Sequence, residues 1–122
     1  LTALENVLLP LQILGSETNE SRAIQLLEQV GLKDRLHHFP SELSGGESQR
    51  VAIARGLVVN PMVLLADEAT GSLDVETGDR VMKLYFDLVR SNQLTSIIVT
   101  HNQDLAKLCD RELKISQGKI LT

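Results

Sequence analysis

The chain of 122 residues carries 12 Lys and Arg against 16 Asp and Glu, which gives a formal net charge of −4, and 43% of its residues are apolar. This length and apolar content suit a single globular domain and argue against a disordered chain. The acidic balance argues against nucleic-acid binding through phosphate neutralisation, and the longest apolar run, residues 62–66, is far too short to cross a membrane as a helix.

The first part of the chain predicts helices only. Thr2 and Glu5 have the spacing of a capping box, so a helix is expected to begin there. Pro10 lies inside the apolar part of this helix and is expected to kink or interrupt it. A second helix is expected to end at Gly31, where the chain needs a residue that adopts a left-handed backbone.

The second part of the chain predicts strands that alternate with helices. Apolar and β-branched runs at 62–66 and 96–100 predict two strands of a parallel sheet, the first of them buried on both faces. Ser44 is expected to cap the helix before the first strand and Asp74 the helix between the two strands, and the pair Gln117-Gly118 predicts a terminal hairpin. This order is typical of an α/β fold with a parallel sheet.

Two further features concern the environment of the chain and its extent. Cys109 is the only cysteine, which rules out an internal disulfide and favours a reducing compartment. The sequence opens at Leu1 without an initiator Met or a signal-peptide pattern, so we expect a piece of a longer polypeptide.

A glycine-rich segment stands at the start of the predicted third helix, residues 47–59. Gly45 and Gly46 carry no side chain, so backbone N–H groups can approach an anion closely, while the Ser44 hydroxyl and the helix dipole also favour a negative group. The segment therefore predicts a phosphate site. A plain Ser-capped helix with a flexible Gly-Gly turn is the alternative interpretation.

Acidic and imidazole side chains follow the two predicted strands. Asp67 and Glu68 come directly after the run at 62–66, and two adjacent carboxylates repel each other unless a cation such as Mg²⁺ or a proton offsets the charge. His101 follows the strand at 96–100. Because parallel strands end at the same edge of a sheet, Glu68 and His101 are expected to be neighbours. Solvated strand ends without a function are the alternative.

These motifs, taken in order, resemble those of ABC ATPases, the nucleotide-binding subunits of transporters. Residues 43–47 (Leu-Ser-Gly-Gly-Glu) resemble the signature motif, residues 63–68 the Walker B strand, and residues 71–74 (Gly-Ser-Leu-Asp) the D-loop. His101 resembles the switch histidine. The resemblance implies an α/β fold of the P-loop NTPase class.

The resemblance also implies how the chain is divided. Residues 1–48 would form the helical subdomain that bears the signature, and residues 49–122 would form the C-terminal part of a RecA-like core. No G-x-x-x-x-G-K-[ST] segment occurs in the 122 residues, so the first strand and the P-loop of such a core are absent from this sequence. We therefore expect the 122 residues alone to be inactive.

Residue roles follow from the same resemblance. Asp67 would hold Mg²⁺, Glu68 would act as general base on the water that attacks the γ-phosphate of ATP, and His101 would contact that phosphate. The signature would bind the ATP held by a second, identical subunit, and the D-loop acid would lie at the dimer seam. The residues expected to act in the signature and at the seam are Ser44, Gly45, Gly46, Glu47 and Asp74.

Three less specific sequence similarities indicate a subfamily. Residues 1–7, 66–74 and 77–79 are similar to the ATPases of lipoprotein-releasing and macrolide-export systems. Glu47 stands where many signatures have Gln, and Ala69 where this subfamily usually has Pro. Both residues occur elsewhere in the family, so ATP use is still expected.

The missing strand has a mechanical consequence. In this fold it would lie between the strands at 96–100 and 111–116, so both would present unpaired backbone groups. We expect the 122 residues on their own to be oligomeric or substantially rearranged.

The expected function is an ATP-binding and ATP-hydrolysing subunit that pairs head to tail with a second copy and drives a membrane permease from the cytoplasmic face. A head domain of a DNA-maintenance ATPase and a truncated product without catalysis are the alternatives. An apolar face of the first helix either packs within the helical subdomain or docks the permease. Its residues are Leu8, Leu9, Leu11, Ile13 and Leu14.

Overall fold

A computed structural model of the chain describes residues 1–121. In chain order the elements are α1 (Ala3–Ile13), α2 (Glu20–Gln29), two short 3-10 turns (Lys33–Arg35 and Pro40–Glu42), α3 (Gly45–Leu57), β1 (Val63–Asp67), α4 (Val75–Ser91), β2 (Thr95–Val99), α5 (Gln103–Ala106), β3 (Lys114–Ser116) and β4 (Lys119–Leu121). Helices come first and strands alternate with helices afterwards, as the sequence predicts for an α/β fold.

Local signals set the helix ends. The Glu5 N–H donates to Thr2 Oγ1 at 3.2 Å, and the Thr2 N–H donates to the Glu5 carboxylate at 2.9 Å, which is the predicted capping box. Gly31 follows α2 with φ of +79°, the left-handed conformation expected of a glycine cap.

Pro10 does not interrupt α1, contrary to one of its two predicted effects. The helix continues to Ile13. Leu8, two residues before the proline, and Leu11, directly after it, are both buried in the core, and their packing favours the helical path over the loss of one backbone hydrogen bond. The predicted apolar face of α1 is therefore only partly buried: Leu8 and Leu11 lie in the core, whereas Ile13 at the end of the helix is 74% exposed.

Strands β1 and β2 pair in parallel, with Val63 opposite Thr95 and Asp67 opposite Val99. The expectation that β1 is buried on both faces is wrong. Leu64 packs against the helices, whereas Leu65 on the other face is 73% exposed. Within residues 1–121 the helices cover only one face of this two-stranded sheet.

Strands β3 and β4 form the predicted antiparallel hairpin. Gln117 and Gly118 connect them with φ of +51° and +74°, the positive values that a tight two-residue turn requires. In the described part of the chain β2 and β3 share no ladder, so the two sheets are separate, as the missing strand predicts.

Helix α3 lies at the centre of the fold and packs against α1, α2 and α4. Arg22 of α2 stabilises the C-terminal end of α3, because its Nη2 donates to the carbonyl of Leu57 at 2.9 Å and its Nε to that of Val58 at 3.0 Å.

None of the helices formed by residues 1–121 is long and apolar enough to span a bilayer. Among residues 1–121 the buried core comprises 20 apolar residues, including Val7, Leu27, Leu32, Val51, Ala54, Val58, Val81 and Tyr85.

Candidate nucleotide site

Residues 44–47 form the N-terminal end, or mouth, of α3, and Ser44 caps it. The Glu47 N–H donates to Ser44 Oγ at 3.1 Å, and the Ser44 N–H donates to Glu47 Oε1 at 2.9 Å. The N–H groups of Gly45 and Gly46 lie in the first turn, where a helix offers them no acceptor of its own. This mouth is chemically suited to an anion.

The glycines at the mouth also meet a packing requirement that the sequence analysis missed. A Cβ on Gly46 would lie 2.7 Å from Thr77 Cγ2, and a Cβ on Gly45 would lie 3.0 Å from Leu73 Cδ2. Gly46 is buried, so α3 approaches the start of α4 at a distance that leaves no room for a side chain. The mouth of α3 and the turn at 71–74 are therefore packed directly together.

Glu47 makes a second contact at the mouth. Arg35 Nε donates to Glu47 Oε2 at 3.2 Å, so the carboxylate joins the first 3-10 turn, Lys33–Arg35, to the helix. Hydrogen bonds with Ser44 lower the pKa of the Glu47 carboxyl, and the charge of Arg35 lowers it further. Glu47 is therefore ionised at neutral pH.

Glu68 and His101 meet at the carboxyl ends of β1 and β2. Glu68 Oε1 lies 3.4 Å from His101 Nε2, which confirms that the two side chains are neighbours, as predicted from the parallel strands. The Glu68 N–H donates to the carbonyl of Val99 at 2.9 Å and thereby extends the ladder by one residue. Glu68 has φ of +49°, a strained backbone for a residue with a side chain, and such strain clusters at functional sites.

Asp67 ends β1 with an exposed side chain. No group of three or more His, Cys, Asp and Glu residues that could hold a metal ion occurs within residues 1–121. Mg²⁺ is commonly held by one or two carboxylates together with waters and phosphate oxygens. The pair Asp67 and Glu68 suits such a partial ligand set and would not make a complete protein cage.

Asp74 caps α4, as predicted. Its Oδ2 accepts the Thr77 N–H at 3.1 Å, and hydrogen bonds from Thr77 lower the pKa of the carboxyl. A groove of about 580 Å³ opens beside Asp74 between α4 and α5, and neither Glu68 nor His101 lines it.

The predicted site residues thus fall into two groups. Among the described residues, no hydrogen bond or ion pair joins the mouth at 44–47 to Glu68 or His101. Instead, Gly45 packs against Leu73 and Gly46 against Thr77, so the mouth contacts the turn at 71–74 and the start of α4.

Comparison with known proteins identifies the family. Residues 1–71 match the family model described as ABC transporter. The chain belongs to the ABC transporter family. It is 52% identical over 121 residues to the lipoprotein-releasing system ATP-binding protein LolD of Koribacter versatilis (strain Ellin345), covering 98% of this chain and 54% of that protein. It is also 52% identical over 122 residues to the uncharacterized ABC transporter ATP-binding protein YbbA of Escherichia coli (strain K12), covering 98% and 54% respectively.

Solved structures agree with this family fold. The dimeric structure of MJ0796, a bacterial ABC transporter cassette, superposes with a TM-score of 0.80 at 39% identity, over 98% of this chain and 54% of that one. The predicted family, its α/β fold and the likeness to the lipoprotein-releasing type are confirmed. The chain spans about half the length of the curated relatives it matches.

Sequence reasoning missed Arg35, Leu73 and Thr77. Arg35 contacts Glu47 across 12 residues through two 3-10 turns, and no spacing rule covers such a path. Leu73 and Thr77 matter only because α3 and α4 approach closely. The sequence signals in this region are the resemblance of residues 71–74 to a D-loop and the subfamily likeness of residues 77–79, and neither indicates a packing role.

Proposed function

We propose that this chain is the signature-bearing and Walker B-bearing part of an ABC transporter subunit that binds and hydrolyses ATP. The observation that carries the proposal is the contact of Glu68 Oε1 with His101 Nε2, 3.4 Å apart at one edge of a parallel sheet. A carboxylate and an imidazole at the ends of adjacent strands can take a proton from water and hold a phosphate oxygen.

Within this proposal Glu68 is the general base and His101 contacts the γ-phosphate. Asp67 would hold Mg²⁺, whose charge would offset the phosphates. The exposed carboxylate of Asp67 and its place at the end of β1 support that role.

A second copy of the subunit completes each site in this proposal. The mouth at 44–47 would bind the ATP held by the other subunit, with Asp74 at the seam between them. Two features support it. The mouth makes no polar contact with the described Glu68 and His101 side chains, and a related cassette, MJ0796, forms a dimer.

The proposal extends to the parts and partners of the subunit. Residues 1–48 would be the helical subdomain and residues 49–122 part of the RecA-like core, with the boundary inside α3. The subunit would lie at the cytoplasmic face of a membrane and couple ATP hydrolysis to a permease. The relatives named as transporter proteins favour this function over a DNA-maintenance head.

The test replaces Glu68 in a complete subunit that carries these residues. Glu68→Gln keeps the shape of the side chain but removes its basicity, so ATP binding should persist while steady-state hydrolysis falls by about two orders of magnitude or more. Glu28→Gln, an exposed change on α2, is the matched control and should leave turnover unchanged. Unchanged turnover in Glu68→Gln would remove Glu68 from the proposed role.

A further inference from the structure

Arg35 and Glu47 form an ion pair at the mouth of α3. Arg35 lies 12 residues before Glu47, and its Nε donates to Glu47 Oε2 at 3.2 Å. The other carboxylate oxygen, Oε1, accepts the N–H of Ser44 at 2.9 Å. One carboxylate therefore connects a guanidinium to the first turn of the helix.

The position of this carboxylate creates an electrostatic conflict. Its bond with Ser44 holds it at the mouth, where the N–H groups of Gly45 and Gly46 and the helix dipole favour an anion. Glu47 is ionised at neutral pH because hydrogen bonds with Ser44 lower the pKa of its carboxyl. An uncompensated negative charge at this point would repel a phosphate.

We propose that Arg35 is a positioning residue that neutralises Glu47 and thereby lets the mouth of α3 accept the terminal phosphate of a nucleoside triphosphate. This inference rests on the proposed function, in which that mouth binds ATP. Among residues 1–121, Arg35 is the only cation that forms an ion pair with Glu47. Its Nη1 also donates to the carbonyl of Asp34 at 3.3 Å, which restrains the guanidinium next to the carboxylate.

The solvent exposure of the Arg35–Glu47 pair distinguishes an effect on anion binding from an effect on folding. The Arg35 and Glu47 side chains are 44% and 25% exposed, and an ion pair as accessible as this one contributes little to folding. The Glu47 charge left unpaired by loss of Arg35 would repel a nearby multivalent anion, and this repulsion remains substantial at low salt. Loss of Arg35 should therefore change anion affinity much more than stability.

The experiment measures ATP-driven dimerisation of a complete subunit that carries these residues, in a Glu68→Gln background that prevents turnover. The ATP concentration at half-maximal dimer formation is followed by size-exclusion chromatography with light scattering, at low and at high salt. The variants are Arg35→Gln, Glu47→Gln and the double variant. Lys107→Gln removes a cation from another exposed ion pair, that with Asp104, and is the charge-matched control.

Arg35→Gln should raise the ATP midpoint about threefold to tenfold at low salt, and high salt should reduce this difference. The double variant should return to within about twofold of the Glu68→Gln parent, because its two amides are neutral, as the ion pair is, whereas Glu47→Gln alone leaves the Arg35 cation and should not weaken binding. Lys107→Gln should have no effect. Thermal unfolding should show every variant folded.

Two results would overturn the inference. An unchanged midpoint in Arg35→Gln would show that the cation is not needed, and a double variant as weak as Arg35→Gln would show that Arg35 does not act through the charge of Glu47. If the Glu68→Gln parent does not dimerise with ATP at all, the proposed function fails first and this inference falls with it.

Discussion

The contact between Gly46 and Thr77 leads to a quantitative prediction about stability. In Gly46→Ala the new Cβ would lie 2.7 Å from Thr77 Cγ2, about 1 Å inside an ordinary carbon–carbon contact. Thr77 is β-branched and sits in the first turn of α4, so its methyl group has little freedom to move away. Relief requires α3 and α4 to separate.

The magnitude follows from two opposing effects. Overpacking of this kind costs about 1 to 3 kcal/mol. Replacing a glycine in a helix with alanine by itself raises the free energy of unfolding by up to about 1 kcal/mol, and by less near a helix end. We therefore expect Gly46→Ala to lower the free energy of unfolding by about 1 to 2 kcal/mol. Gly45→Ala should cost less, because it meets the longer, flexible side chain of Leu73 at 3.0 Å.

A double-mutant cycle in urea on a complete subunit that carries these residues, followed by far-UV circular dichroism, tests this reasoning. Thr77→Ser removes the opposing methyl group and alone should cost less than about 1 kcal/mol. In that background Gly46→Ala should become nearly neutral, since the next neighbour, Val81 Cγ2, is at 3.9 Å. If the cost of Gly46→Ala is absent in the parent, or is undiminished in the Thr77→Ser background, the packing explanation is wrong.

Further predictions concern stability, assembly and ATP binding. Arg22→Ala should lower the free energy of unfolding by about 1.5 to 3 kcal/mol in urea, because two carbonyls at the end of α3 lose charged donors; a change below 0.5 kcal/mol would contradict this. Asp74→Asn keeps an N-cap but removes a carboxyl whose pKa is lowered in the folded state. The unfolded chain binds this proton more readily, so the parent should lose stability as pH falls below about 4, and the variant should lose less; parallel pH curves would refute this. The 122 residues on their own should form oligomers or rearrange, and should show no measurable affinity in an ATP titration; a monodisperse monomer in analytical ultracentrifugation, or clear ATP binding, would count against these expectations.

Much of the fold is predictable from short segments. The caps at Thr2, Ser44 and Asp74 depend on residues within one helical turn, and the hairpin depends on two residues that accept positive φ. The neighbourhood of Glu68 and His101 also follows from sequence, because parallel strands end at one edge of a sheet. Their roles and that of Asp67 stay predictions until turnover is measured.

Only the tertiary structure decided the remaining features. Pro10 stays helical because core packing outweighs one backbone hydrogen bond, and Leu65 is exposed because no described helix covers its face of the sheet. The tight approach of Gly46 to Thr77 and the pairing of Arg35 with Glu47 depend on how separate elements cross and turn. Sequence determines hydrogen bonds between near neighbours, whereas contacts between distant elements depend on how the whole core packs, which no single segment encodes.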